Sequence, residues 1–394
     1  MGRAGETGLP FPRERIVELD ALRGIAVIGI AWMNVYVFAL PLQAYYNPAA
    51  YGAQSAFDYA LWAVSFVLVE DKFRTLFAML FGLGVAIMWQ RGTGWREHLA
   101  RMALLFAIGV IHATLLASND ILRVYALAGL ALPLLLPLGW HGLGLAMIAL
   151  VALHLGGGYV WLSSRSPEFF ALNFGAHPDG LAYALELGRE SIGDRIVRRL
   201  ASLPATLAAI SAGVPINLAS MLAGVALWKS GLLPSRWSRG RVLGLIVLCC
   251  LVALPALTLI AFSAHSLAFD PQVVARKALV LSAPFDLLMG VAYAVAMLAL
   301  FTRIRDSLGV WLLAAAGRLS LTNYLMTSLV FSALFASWGA GLFAVVSRSE
   351  ALLLSLVPAA LMLVWSPLWL RLYGQGPTER LWRAGARAIA GRRA

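Results

Sequence analysis

Charged residues are scarce in this sequence. Asp, Glu, Lys and Arg make up 13% of its 394 residues, whereas hydrophobic residues make up 61%. Soluble domains carry about 25% charged and roughly 45–50% apolar residues, so the composition excludes an ordinary water-soluble domain. Apolar runs near 20 residues long recur instead, and a run of about that length crosses a bilayer as one helix. The runs lack a period of two, which favours helices over a β-barrel.

Cysteine is also scarce, and several common catalytic motifs are missing. The two cysteines, Cys249 and Cys250, are adjacent in an apolar run, which excludes a disulfide framework and a cysteine-based metal site. The patterns G-x-x-x-x-G-K-[ST], H-E-x-x-H and G-x-S-x-G do not occur. The sequence therefore does not support nucleotide hydrolysis, zinc proteolysis or the common serine-esterase arrangement, and we expect no metal.

The hydropathy pattern predicts an all-α, polytopic transmembrane bundle of about ten spans. We expect one integral membrane domain over 1–394, with N-terminal helices in 1–140, central helices in 141–300, and C-terminal helices with a basic tail in 301–394. The apolar stretch 57–69 is too short to cross alone, which predicts an interfacial or re-entrant helix. The spans are expected near 20–40, 73–90, 98–117, 120–138, 141–163, 204–228, 241–263, 278–301, 310–337 and 349–371.

The distribution of Lys and Arg predicts the orientation. With a cytoplasmic N-terminus, the inner connections carry 18 of these residues and the outer ones 9, so the positive-inside rule favours cytoplasmic N- and C-termini. We interpret the first apolar run as a retained span, and the net charge of +12 as topology rather than nucleic-acid binding. The basic tail should lie on anionic lipids. The outer segment 164–199 has room for one amphipathic helix.

Polar residues inside the predicted spans are the candidates for function, because an ionised side chain there costs at least about 2.5–3.5 kcal/mol. Asp20 and Arg23 open the first span at i and i+3, and Asn34 falls on the same helical stripe. One interpretation is an ion pair that anchors the helix at the interface. The other is that Arg23 and Asn34 line a cavity open to the cytoplasm.

His112 and Asp120 lie close in sequence, at the end of the third span and the start of the fourth. A carboxylate beside a histidine would fix its tautomer and support a general base. The alternatives are that Asp120 only caps a helix and that His112 only packs. Lys72 and Arg74 open the second span and are candidates for holding an anionic group at the same end, unless they only extend to the interface.

Two further charges fall inside spans of the C-terminal half. Asp286 is expected near the middle of the eighth span and Arg318 within the ninth, so we predict that they form an ion pair between these helices. Asn323 is expected to form an interhelical hydrogen bond worth about 1 kcal/mol or less. All three are also candidates for binding a substrate or donor.

Several segments together resemble a known bacterial family. RIVELDALRGIAVIGIAWMN, YYNPAAYG, KFRTLFAMLFGLG and IHATLLASNDILRVYALAGL in the first half, and GRLSLTNYLMTSLVFSALF with WSPLWLRLYGQGPTERLWR near the end, resemble the YeiB-like inner-membrane family, whose C-terminal domain has unknown function. The central part, about 140–300, matches mainly in hydropathy.

The start Leu19-Asp20-Ala21-Leu22-Arg23-Gly24 is also similar to that of the transmembrane acyltransferase superfamily, including heparan-glucosaminide N-acetyltransferase-like proteins. This resemblance implies a bundle of ten or eleven helices with Asp20, Arg23 and Asn34 in its core, and transfer of an acyl group from cytoplasmic acyl-CoA. That branch carries its catalytic histidine just after the first span, whereas 41–58 contains no histidine here. His112 is a substitute on chemical grounds only.

Three functions therefore remain open. The first is a membrane-embedded acyltransferase with acyl-CoA as donor, in which His112, oriented by Asp120, deprotonates a hydroxyl or amine of a small molecule or glycan. The second is a transporter or permease-like protein for a small metabolite or lipid. The third is a non-catalytic scaffold. We expect a bacterial inner-membrane location, membrane lipids as partners, no nucleic acid, and either a monomer or a homo-oligomer.

Overall fold

The computed structural model describes residues 16–53, 55–231 and 237–391, and in these parts of the chain it contains helices and loops without a β-strand. The first half comprises α1 (Val17–Ala39), α2 (Leu42–Tyr46), α3 (Ala56–Leu68), α4 (Lys72–Gln90), α5 (Trp95–Leu115), α6 (Leu122–Leu135), α7 (Trp140–Ser163), α8 (Pro167–Phe174), α9 (Pro178–Arg189) and α10 (Ile192–Ala201). The second half comprises α11 (Leu203–Ser211), α12 (Val214–Lys229), α13 (Arg239–Ser266), α14 (Pro271–Arg276), a π-helical turn (Lys277–Leu281), α15 (Ala283–Arg303), α16 (Leu308–Arg318), α17 (Ser320–Phe335), α18 (Arg348–Leu354), α19 (Leu356–Tyr373) and α20 (Pro377–Ile389).

The all-α prediction is confirmed, but the count of ten spans is not. Within the described residues, seven helical segments are long and apolar enough to cross a bilayer: α1, α3 with α4, α5, α7, α13, α15, and α18 with α19. An eighth results if α11 and α12, which meet at a bend of 48°, form one span. The remaining predicted spans correspond to shorter apolar helices, α6, α16 and α17.

The predicted ninth span, 310–337, is interrupted in the structure. α16 ends at Arg318, and Leu319 leaves the helical conformation with φ −108° and ψ 29° before α17 begins. The Asn323 side chain donates to the carbonyl oxygen of Ala316 at 2.9 Å, so a polar group pairs with backbone freed at the break. Hydropathy misses the break because the two helices that flank it are each apolar over their length, although Arg318 and Ser320 adjoin Leu319.

The predicted short helix before the second span exists as α3. It begins with a capping box formed by Ser55 and Asp58, and a turn centred on Asp71 separates it from α4. Asp71 has a φ of 62°, in the left-handed region that non-glycine residues rarely adopt. Whether α3 lies at the interface or enters the membrane stays a prediction.

α1 lies at the centre of the bundle, packed against α4, α15, α16 and α17. Two glycines permit its close approach to α16: a Cβ atom on Gly24 would overlap the carbonyl oxygen of Leu313, and one on Gly317 would overlap that of Asp20. Small residues at such a crossing are typical of helix packing in membranes. α7 is the opposite case. Only 6% of its apolar 18-residue stretch is buried, so the surface of this helix is available to lipid.

The segment 164–199 holds more structure than the one amphipathic helix expected, namely α8, α9 and most of α10. It lies over the end of the bundle where α5 ends, which we call the predicted outer end; the opposite end is the predicted inner end. Arg199 of α10 donates to the carbonyl oxygen of Ala113 at 2.9 Å, and burial lowers the pKa of Arg199 to about 10. Glu190 accepts hydrogen bonds from Arg195 and Arg198. α10 therefore packs against the end of α5, whereas α8 contacts α2, α9 and α14.

Candidate active site

His112 and Asp120 meet at the turn between α5 and α6, as predicted. The Nδ1 atom of His112 lies 2.7 Å from Oδ1 of Asp120, and the two residues are only 3% and 4% exposed. A carboxylate accepts hydrogen bonds, so in the neutral imidazole this contact places the proton on Nδ1 and leaves Nε2 with a lone pair. This tautomer is the one that a general base needs.

The same carboxylate also orders the beginning of α6. Its Oδ2 atom accepts the backbone N–H of Arg123 at 3.0 Å and lies 3.5 Å from Nε of the Arg123 side chain. The hydroxyl of Tyr324 lies 3.5 Å from Oδ1 and accepts the N–H of Ile121 at 3.2 Å. Asp120 thus acts both as the predicted capping group and as the partner of His112.

Ser328 is the residue that the sequence analysis missed. Its Oγ atom lies 2.9 Å from Nε2 of His112, and the residue is 1% exposed near the middle of α17. A weak signal was present, because Tyr324, Ser328 and Ser332 recur at i, i+4 and i+8 and thus share a face of α17. Their spacing does not predict the contact with His112, however, because His112 is more than 200 residues away in the chain.

A cavity of about 120 Å³ lies next to the turn that carries Asp120, because Asn119 and Ile121 line it, whereas His112, Asp120 and Ser328 do not. Its lining includes Asn34, Asp71, Arg74 and Asn119, the last of which precedes Asp120 in the chain. The Nδ2 atom of Asn119 donates to Oδ1 of Asn34 at 3.2 Å, and Arg74 forms an ion pair with Asp71 at 3.0 Å. The structure therefore brings Asn34 and Arg74 to the same region as His112.

Asp20 and Arg23 lie elsewhere on α1. They form the predicted pair, with Nη1 of Arg23 donating to Oδ1 of Asp20 at 2.7 Å. Asn34 is 11 residues further along the helix, or about 16 Å at a rise of about 1.5 Å per residue. The polar stripe of α1 therefore extends from Arg23 at the predicted inner end to the cavity that Asn34 and Asn119 line.

The predicted ion pair between Asp286 and Arg318 is wrong. Asp286 lies in the first turn of α15 rather than at its middle, because the π-helical turn before it shortens the helix, and its Oδ1 atom pairs with Nζ of Lys72 at 2.6 Å. Arg318 ends α16 and donates to the carbonyl oxygen of Gly374 at 2.9 Å. The two residues are thus held by different parts of the bundle.

Asn323 forms the interhelical hydrogen bonds that the sequence suggested. Its amide donates to Ser366 of α19 at 3.0 Å in addition to Ala316, and its Oδ1 atom accepts from Nε1 of Trp365 at 2.8 Å. The residue is fully buried. Through these bonds the Asn323 side chain joins α16, α17 and α19. The role of Asn323 as a binding residue stays a prediction.

A second concentration of buried charge surrounds the pair of Lys72 and Asp286. Lys277 is 1% exposed, and its Nζ atom has no hydrogen-bond partner among the described residues but lies 4.1 Å from the centre of the Phe66 ring. Arg348 is fully buried over the ring of Tyr36. Its Nε and Nη1 atoms also have no hydrogen-bond partner among the described residues. Glu70 interacts electrostatically with both cations. We call the five residues Lys72, Asp286, Lys277, Glu70 and Arg348 the buried charge cluster.

Long apolar helices, a lipid-accessible periphery and charged groups buried between the helices define a multi-pass α-helical membrane protein. The chain is 34% identical over 388 residues to the uncharacterized protein YeiB of Escherichia coli (strain K12), an alignment that covers 94% of this chain and 96% of that protein. The chain therefore belongs to the YeiB-like family. It is also 26% identical over 402 residues to the uncharacterized protein YxaH of Bacillus subtilis (strain 168), covering 94% of each chain.

The C-terminal part of the chain matches a family model as well. Residues 227–388 match the family described as Protein of unknown function (DUF418). That region contains Asn323 and Ser328, whereas His112 and Asp120 lie outside it. The alignment with YeiB extends through the central helices, where the sequence alone gave only a likeness in hydropathy.

Proposed function

We propose that this protein is a membrane-embedded acyltransferase, which moves an acyl group from acyl-CoA to a hydroxyl or amine of a small-molecule or glycan acceptor. The buried hydrogen bond between Asp120 and His112 is the observation that carries the proposal. General-base catalysis of this kind contributes about 10²–10⁴-fold to a rate. His112 is the proposed base, and Asp120 is a positioning residue that also stabilises the imidazolium.

The two ends of the polar stripe on α1 suit the two substrates. Arg23 is partly exposed at the predicted inner end, where a phosphate-bearing donor would arrive from the cytoplasm. Arg74 lines the cavity together with Asn119 and Ile121, the chain neighbours of Asp120, and could offset negative charge that develops on the carbonyl oxygen during transfer. A bacterial inner-membrane location with cytoplasmic termini fits this arrangement, since the donor is a cytoplasmic metabolite.

Thioester turnover by the purified protein tests the proposal. Release of free thiol from a series of acyl-CoAs of increasing chain length, with simple sugars as acceptors, should fall at least about 100-fold in His112→Gln. The matched control is His141→Gln, because His141 is exposed at the beginning of α7, away from the site. Equal thiol release by wild type and His112→Gln would rule out His112 as the base.

The buried charge cluster supports a second candidate function, ion-coupled transport. Ionised groups inside a membrane domain are costly and are frequent in the proton and ion pathways of transporters. Proton flux into proteoliposomes loaded with a pH-sensitive dye, driven by an imposed membrane potential, would measure this activity. Transport through the cluster predicts loss of flux in Lys277→Met but not in Lys229→Met, whose ammonium donates to the carbonyl oxygen of Leu136 at 2.7 Å. Equal fluxes in both variants would exclude it.

A further inference from the structure

Ser328, His112 and Asp120 form a continuous hydrogen-bonded relay. Both ring nitrogens of His112 are used, with Nδ1 2.7 Å from Asp120 and Nε2 2.9 Å from Oγ of Ser328. We infer that Ser328 is a nucleophile that carries the acyl group as an ester between donor and acceptor. The inference deepens the proposed acyl-transfer function and rests on it.

The hydrogen bonding of other buried hydroxyl groups sets Ser328 apart. Serine and threonine inside helices commonly donate to the carbonyl oxygen four residues earlier. Thr327 does so to Asn323 at 2.8 Å, and Ser220 does so to Ile216 at 2.8 Å. Among the described residues, the only hydrogen-bond partner of the Ser328 hydroxyl is His112. Its proton is therefore directed at the one nitrogen that can accept it.

The position of Ser328 along α17 gives a reason for a covalent intermediate. Eight residues separate it from Ser320, where the helix begins, and seven from Phe335, where it ends. These separations correspond to about 12 Å and about 10 Å. A donor that enters from one side of the membrane and an acceptor that enters from the other could therefore reach the same oxygen atom in turn, without both occupying the interior together.

The two steps balance without any additional reactant. In the first, Oγ of Ser328 attacks the thioester carbonyl carbon, His112 takes the hydroxyl proton, the carbon–sulfur bond breaks, and His112 returns the proton to the leaving thiolate. In the second, the acceptor hydroxyl or amine attacks the ester carbonyl carbon, His112 takes its proton, and Oγ of Ser328 leaves and regains a proton. Activation of a serine by an adjacent histidine is an established way to make a weak nucleophile reactive.

A donor for the oxyanion is available one helical turn beyond Ser328. The hydroxyl of Ser332 is buried, and within the described residues it lacks a hydrogen-bond partner. Residues four apart on a helix have Cβ atoms about 5–6 Å apart. The Ser332 hydroxyl can therefore point toward an oxygen that develops beside Ser328.

Labelling with an alkyl fluorophosphonate tests the nucleophile independently of the natural substrates. The full-length protein in native membranes should gain one phosphonyl group on the peptide that contains Ser328, as detected by mass spectrometry. Ser328→Ala should not be labelled, and His112→Gln should be labelled at least about 100-fold more slowly. Thr327→Val is the matched control and should be labelled as wild type, because its hydroxyl bonds only within its own helix. Size-exclusion profiles establish that each variant is folded.

The outcomes separate this inference from the proposed function. An unlabelled wild type, or label that persists in Ser328→Ala, overturns the nucleophile. Thiol release from acyl-CoA that depends on His112 but continues in Ser328→Ala also overturns it, and leaves acyl transfer with direct attack by the acceptor. Labelled Ser328 without any thioester turnover upholds the nucleophile and contradicts acyl-CoA as the donor.

Discussion

Asp120 connects three parts of the bundle through one buried side chain. It binds His112 at the end of α5, the first turn of α6 through Arg123, and α17 through the hydroxyl of Tyr324. Removing one member of a buried ion pair is costly because the remaining charge is left without compensation. The residue therefore has a structural and a positioning effect, and different substitutions separate the two.

Asp120→Asn and Asp120→Ala should have different consequences. The amide keeps an oxygen for the N–H of Arg123 but no longer fixes the His112 tautomer, so thioester turnover should fall about 10²–10⁴-fold with a small change in thermal stability. The alanine variant leaves Arg123 buried without its carboxylate, which should cost about 3–5 kcal/mol. Thiol release and heating in detergent followed by size-exclusion chromatography measure the two effects. Unchanged turnover in Asp120→Asn would contradict the positioning role.

Gly109 provides a second test of how closely the residues around Asp120 are packed. A Cβ atom there would lie 2.6 Å from Oδ2 of Asp120 and 2.9 Å from the backbone nitrogen of Arg123. Gly109→Ala should therefore displace the carboxylate and destabilise the protein by about 1–3 kcal/mol, as overpacking does. The control is Gly144→Ala, because Gly144 lies on α7 with open space around it. Equal melting temperatures of the two variants in detergent would show that the site tolerates the shift.

Contacts between residues that are close in sequence were predicted correctly, whereas contacts between residues that are distant in sequence were not. Asp20 with Arg23, and His112 with Asp120, are joined by short stretches of chain, so their spacing limited their geometry. Asp286 was matched with Arg318 because both are charged, but Asp286 lies in the first turn of α15 and pairs with Lys72. Ser328 was missed because its contact with His112 depends on how α5 and α17 pack, which hydropathy does not encode.

At the scale of helices, the beginning of α17 is capped by a residue from another element. The carboxylate of Glu379, in α20, accepts the backbone N–H groups of Leu321 and Thr322 at 2.8 and 3.1 Å, and the hydroxyl of Thr322 at 2.5 Å. A carboxylate at a helix N-terminus is favoured by the unpaired N–H groups there. The cap fixes the C-terminal helix α20 against the helix that carries Ser328.

Glu379→Ala should release α20 from the bundle. Hydrogen bonds to a charged group contribute about 1.5–3 kcal/mol, and every 1.4 kcal/mol is about a factor of ten in an equilibrium. Trypsin should therefore cleave after Arg380 and Arg383 at least about tenfold faster in inside-out vesicles. Glu186→Ala, which removes an exposed carboxylate of α9, serves as the control. Cleavage at the wild-type rate would mean that other contacts hold α20.

Helix positions followed hydropathy closely, whereas helix interruptions did not. α1, α7, α13 and α19 begin and end within a few residues of predicted spans, except that α19 is preceded by α18 as a separate helix. The helices on either side of the breaks at Leu319 and between α11 and α12 are apolar over their length, so hydropathy runs across both breaks. Such breaks are compensated by tertiary contacts such as the Asn323 side chain, and a hydropathy profile contains no information about those contacts.

At the scale of the whole molecule, the orientation of the bundle is the prediction that most affects function. Asp179 is exposed beside α8, at the predicted outer end, and Asp306 is exposed in the loop between α15 and α16, at the predicted inner end. Cytoplasmic termini place these two residues on opposite sides of the membrane.

Cysteine labelling tests this orientation. In a background without Cys249 and Cys250, Asp179→Cys should react with a membrane-impermeant maleimide in intact spheroplasts. Asp306→Cys should react only after the membrane is permeabilised. The reverse pattern would invert the bundle, and acyl-CoA could then not approach Arg23 from the cytoplasm.

Acyl transfer at this site requires that an acyl donor reach the buried relay of Ser328, His112 and Asp120. A structure in lipid nanodiscs with a non-reactive thioether analogue of acyl-CoA measures this directly. We expect the nucleotide end of the analogue near Arg23 and the carbon that replaces the carbonyl carbon about 3–3.5 Å from Oγ of Ser328, a distance suited to attack. Density for the analogue that lies away from His112 and Ser328, with the relay closed off by side chains, would contradict acyl transfer at this site.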